Sequence, residues 1–81
     1  MTEAELFGQR VRELRAAKRP AMTQEQLAHA AGLTTSAVSN IERGQKAPNL
    51  TTILKLAQGL KASPAELFSG FTAEVMRKLK L

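Results

Sequence analysis

The sequence predicts an all-α fold, a compact bundle of five helices with a candidate short sixth helix at the C-terminal end. Three observations predict it. Start signals recur: Thr2 with Glu5, Thr23 with Gln26 and Ser63 with Glu66 each place a hydroxyl three residues before a Glu or Gln. At that spacing side chain and backbone cap each other reciprocally at a helix N-terminus. Behind each signal, apolar residues recur at helical spacing. Glycines 32, 44 and 70 stand where those runs stop, as helix-ending glycines do. Residues 1–81 suit one domain with one small core. It is organised around 23–44, with 71–81 as a separate C-terminal segment.

Composition narrows the function. At 43% apolar, the chain can fold without covalent staples. Having no Cys, it offers neither a disulfide framework nor a thiolate metal site. His29 is the only histidine and has no second ligand at metal spacing, so no metal or other cofactor is expected. No apolar run approaches membrane-spanning length and the N-terminus lacks a signal-peptide pattern, so no membrane is expected and a cytoplasmic location is compatible. A net charge of +5 and a pI near 10.3 favour a polyanionic partner. Aromatic residues are only 4%, all Phe, which argues against stacking single-stranded bases on exposed rings. There is no nucleophile–base pair, paired-carboxylate site or phosphate-cradling glycine loop, so an enzyme is not expected.

The first helix spans about residues 2–18, capped by Thr2, with Glu3 and Glu5 at the positive end of its dipole. Leu6, Phe7, Val11 and Leu14 form its buried stripe, and Arg10, Arg12 and Arg15 lie between them. Lys18 to Met22 is a connection, because Pro20 cannot continue a helix interior. The second helix, 24–31, starts at Thr23 and ends at Gly32, with Leu27, Ala28 and Ala31 inward. Ala28 and Ala31 are small enough for the third helix to approach closely. Thr34 caps that third helix, 35–43, in which Val38 and Ile41 share the inward face. Thr35, Ser36, Ser39, Asn40 and Arg43 are left facing out. Thr35 and Ser36 also have a capping alternative in the first turn. Residues 45–49 form a loop stiffened by Pro48. The fourth helix, 50–60, is capped by Asn49, with Leu50, Ile53, Leu54, Ala57 and Leu60 as core. The fifth, 64–68, carries Leu67 and Phe68 and is stopped by Gly70. Thr72 can cap a last short helix with Val75, Met76 and Leu79 on one face and Arg77, Lys78 and Lys80 on the other.

Two short helices joined at a glycine, with small residues at the crossing, are what a helix-turn-helix requires. The residues TQEQLA (23–28), AGLT (31–34), VSNIERG (38–44) and Pro48 resemble the lambda-repressor-like, Cro-type helix-turn-helix domains, the XRE family. The resemblance extends back through Arg10–Arg15 and forward to Leu60. The link from Arg15 to Thr23 departs from the family pattern by being about two residues longer, which surface loops tolerate cheaply.

The resemblance implies sequence-specific binding of double-stranded DNA by a homodimeric transcriptional regulator on a (pseudo)palindromic operator. Its members include stand-alone repressors, restriction–modification controller proteins and antitoxins. By motif position Thr35, Ser36 and Asn40 are the base-reading candidates. Their chemistry agrees, since an Asn amide can bond adenine bidentately and hydroxyls suit several base edges. Ser39 and Arg43 are base or phosphate candidates. Gln24 and Lys46 are phosphate candidates, Gln24 through its amide at a helix N-terminus. Arg15 is implied to pair with Glu42. Phe71, Val75, Met76 and Leu79 either close the core or form a dimer contact. No small-molecule ligand is expected. The competing function is a protein-interaction module, an antitoxin-like adaptor in which DNA contact is secondary.

Overall fold

The computed structural model describes all 81 residues, with six helices and no strand. They are α1 (Glu3–Ala16), α2 (Gln24–Ala31), α3 (Thr35–Glu42), α4 (Leu50–Leu60), α5 (Pro64–Leu67) and α6 (Ala73–Lys78). Each of the first four is capped by the expected side chain: Thr2, Thr23, Thr34 and Asn49 accept from the third backbone N–H of their helices. At α1 the reciprocal bond from the Thr2 N–H to Glu5 Oε1 (2.8 Å) holds the Glu5 carboxyl below the usual carboxylate range. Ser63 contributes its N–H to Glu66 Oε2 at 2.7 Å, and Pro64 opens α5.

The helix ends differ from expectation in three places. α1 stops at Ala16, because the Arg19 guanidinium donates to the Ala16, Ala17 and Lys18 carbonyls and the chain turns back toward Pro20. Arg19 is therefore a C-terminal cap of α1. α3 stops at Glu42, with Arg43 as its cap residue. Gly32 and Gly44 are left-handed (φ 69° and 71°), but Gly70 is not. α5 instead ends at Leu67 in a turn where the Phe68 N–H is shared between the Pro64 and Ala65 carbonyls.

The core runs through all of α1 to α5, from Phe7 and Val11 to Leu27, Val38, Leu56, Leu60 and Leu67. Two glycines set its helix crossings. At Gly8 a Cβ would overlap the Ile41 carbonyl oxygen and lie 2.9 Å from that of Glu42, so α1 lies backbone-close on the end of α3. At Gly59 a Cβ would meet the Ala31 Cβ at 2.9 Å. The small size of Ala31 therefore serves the docking of α4 on α2, a use the sequence reading had not given it.

α4 requires a correction. Leu50 is 69% exposed and Leu54 45% exposed, so neither is core. Ala57 and Leu60 are buried as expected, Leu56 joins them in the core, and Ile53 lies at the margin. The docking of Gly59 on Ala31 rotates α4 so that the Leu50–Leu54 ridge faces outward. Arg10 donates from Nε to the Glu66 carbonyl at 2.9 Å and ties α1 to α5.

The C-terminal segment packs only at its start. Phe71 lies against the core, edge-on to Phe68 (centroids 5.8 Å), which in turn packs on Phe7 (5.7 Å). Such tilted and edge-to-face pairs are the favoured aromatic geometry. α6 follows, capped by Thr72, and buries no residue fully. Val75 and Leu79 are half-buried and Met76 is 44% exposed. No helix is long and apolar enough to cross a membrane.

Candidate nucleic-acid interface

The interface is built outward from α3. Val38 and Ile41 anchor one face in the core. The Thr34 hydroxyl accepts from the Ala37 N–H at 3.0 Å and starts the helix. Because Thr34 supplies that cap, the Thr35 and Ser36 hydroxyls are not consumed by it. Thr35, Ser36 and Arg43 are exposed, while Ser39 and Asn40 are half-exposed. α3 thus presents a polar ridge one helix long, the width that the major groove admits.

Beside the ridge lies a cleft of about 420 Å³ between α3 and the start of α4. It brings together Ser36, Asn40 and Lys46 from the predicted set. It also brings in Thr34, Asn49 and Thr52, which the sequence reading had not placed at the site. Asn49 was visible only as a cap. Thr52 gave no separate signal, because its place depends on how α4 docks. Lys46 is exposed and in no ion pair, so its charge is open to a polyanion.

The ridge is clamped from behind. Arg15 donates from Nε to Glu42 Oε2 (2.7 Å), from Nη2 to Glu42 Oε1 (3.0 Å) and from Nη1 to the Met22 carbonyl (2.8 Å). Gln24 Nε2 donates to the same Glu42 Oε1 at 2.9 Å. One buried carboxylate, 9% exposed, therefore joins α1, α2 and α3. The hydrogen bond to Glu42 keeps the Arg15 guanidinium more firmly protonated than usual. No buried side-chain polar atom is left without a partner.

The Gln24 geometry revises its expected role. Its amide turns in toward Glu42, rather than out toward a phosphate. The anion-binding capacity of that helix start rests on its backbone. Thr23 satisfies the Gln26 and Leu27 N–H groups and leaves those of Gln24 and Glu25. At α4, Asn49 likewise satisfies the N–H groups of Thr52 and Ile53 and leaves those of Leu50 and Thr51.

Arg43 is engaged within the ridge. Its Nη2 donates to Asn40 Oδ1 at 2.7 Å and makes a longer contact to Gln45 Oε1 at 3.4 Å. No carboxylate neutralises it.

A helix-turn-helix family model matches residues 11–67, which includes α2, the Gly32 turn, α3 and the Arg15–Glu42 clamp. The chain belongs to the helix-turn-helix family. Among known relatives, the control protein C.BamHI of Bacillus amyloliquefaciens is 40% identical over 62 residues, 76% of this chain and 75% of the relative. The crystal structure of the restriction-modification controller protein C.AhdI from Aeromonas hydrophila superposes with a TM-score of 0.76 at 48% identity. That match covers 82% of this chain and 97% of the controller. The clp gene regulator ClgR from C. glutamicum matches with a TM-score of 0.75 at 27% identity, over 83% of this chain and 84% of that one. The expected all-α fold and the Cro-type resemblance agree with these matches.

Proposed function

We propose that this helix-turn-helix protein is a sequence-specific, double-stranded-DNA-binding transcriptional regulator. It acts as a homodimer on a (pseudo)palindromic operator, as a stand-alone controller or repressor. The observation that carries the reading is the exposed polar ridge of α3, fixed to the core by Val38 and Ile41 and braced from α1 and α2 through Glu42. Thr35, Ser36 and Asn40 reach base edges from it, with Ser39 beside them. Lys46 and the free N–H groups at the starts of α2 and α4 hold phosphates on either side. The similarity to controller proteins in both sequence and structure supports the regulatory role.

A single ridge of this length reads few base pairs, and two-fold pairing doubles the site. Exposed apolar residues supply material for a seam: Leu50 and Leu54 on α4, and Met76 with the half-buried Val75 and Leu79 of the C-terminal segment. Phe71 contributes from beneath, since its ring is already committed to Phe68.

Selection of bound sequences from a random duplex pool, followed by binding titrations across salt, tests the function. The expected result is a site with two-fold symmetry and an affinity that falls steeply with salt as counterions are released. Replacing Lys46 with Ala lowers affinity for all sequences alike and flattens the salt slope. Failure to bind any duplex at low salt overturns the reading and favours the protein-interaction adaptor.

A further inference from the structure

An asparagine amide on a reading helix has two faces of opposite chemistry. Bidentate reading of adenine uses both, with Oδ1 accepting from N6 and Nδ2 donating to N7. In this protein the two are not equivalent. Asn40 Oδ1 accepts a 2.7 Å charge-assisted hydrogen bond from Arg43 Nη2, one helical turn further on. Asn40 Nδ2 has no partner in the protein and keeps both of its hydrogens. Asn40 lines the cleft beside α3, and Arg43 does not. A guanidinium on the oxygen also polarises the amide and strengthens Nδ2 as a donor.

We infer that Arg43 is a specificity-determining positioning residue that fixes the Asn40 amide as a hydrogen-bond donor, so that this position selects guanine rather than adenine. Guanine presents two acceptors, N7 and O6, in the major groove, whereas adenine presents a donor beside its acceptor. With its Nδ2 hydrogens free, Asn40 suits the first pattern, whereas the adenine N6 hydrogens have to share Oδ1 with Arg43 and meet the positive guanidinium beside it. The inference rests on the DNA-binding reading proposed above.

The test compares sequences selected from a random duplex pool by the wild-type protein, Asn40→Ala and Arg43→Met. Arg43→Met keeps the stem and removes the donor, and its fold is checked by thermal melting, because the side chain is exposed and outside the core. The base pair whose preference vanishes with Asn40→Ala is the one that Asn40 reads. The expected result is guanine at that pair for the wild type, and a guanine-to-adenine ratio lowered about tenfold by Arg43→Met, the size of one good base contact. Adenine there in the wild type overturns the inference. So does a loss with Arg43→Met that is uniform over all sequences, which makes Arg43 a phosphate contact and leaves the DNA-binding reading standing. Absence of any duplex binding by the wild type overturns both.

Discussion

Glu42 braces the candidate interface from behind. Its two oxygens receive three hydrogen bonds, from Arg15 Nε, Arg15 Nη2 and Gln24 Nε2, while it is itself buried. Truncating it strands a guanidinium whose side chain is only 16% exposed. Glu42→Ala is therefore expected to lower unfolding free energy by about 3–5 kcal/mol in urea titrations. The double replacement Arg15→Met with Glu42→Leu costs much less, because no charge is left without its partner. A loss below about 1 kcal/mol for Glu42→Ala would place the pair in the weak surface class. The pair was legible only through the family pattern, since nothing in a 27-residue separation reveals it otherwise. Gln24 was not legible at all as part of it. A first-turn glutamine looks solvent-facing until the end of α3 is known to arrive beside it.

The caps of α1 to α4 were legible at the scale of the element, because a cap is a local event decided by residues three apart. Which face a helix buries is not local. α4 carries apolar residues on more than one side, Leu50 and Leu54 as well as Ile53, Leu56 and Leu60. Periodicity cannot choose between two apolar stripes. The choice is made by Gly59 seated on Ala31, a tertiary contact. Gly8 is the parallel case on α1, a glycine within a helical run whose reason lies 33 residues away at the Ile41 carbonyl. In an isolated helix Gly→Ala gains about 1 kcal/mol. Here Gly8→Ala is expected to destabilise by about 1–3 kcal/mol through overpacking. It also pushes the end of α3 outward, so DNA affinity falls with stability. A rise in melting temperature would show that α1 and α3 are not in backbone contact.

At the scale of the whole molecule, the proposed homodimer needs a seam. The chain measures 34 × 22 × 19 Å, so in the proposed dimer one copy has room on each turn of a duplex, about 34 Å per turn. From sequence, Phe71, Val75, Met76 and Leu79 either close the core or form a dimer contact. Phe71 packs on the core beside the Phe68 ring, the first of those alternatives, and the Leu50–Leu54 ridge is exposed as well. That ridge has no core role, so Leu54→Glu is expected to leave the fold intact and to shift the protein from dimer to monomer in sedimentation velocity. Binding to a full operator should fall toward that for a half-site. A variant that remains dimeric contradicts a seam at Leu54 and returns it to α6, where Met76→Glu makes the same test.

The claim that everything else serves is that the outward ridge of α3 reads base edges. Paired titrations of wild type and Asn40→Ala, on the selected operator and on a scrambled duplex of equal length and salt, test it most directly. Asn40→Ala is expected to lose about 1–3 kcal/mol on the operator and almost nothing on the scrambled duplex. Equal losses on both, or a wild type that does not distinguish the two duplexes, would contradict it.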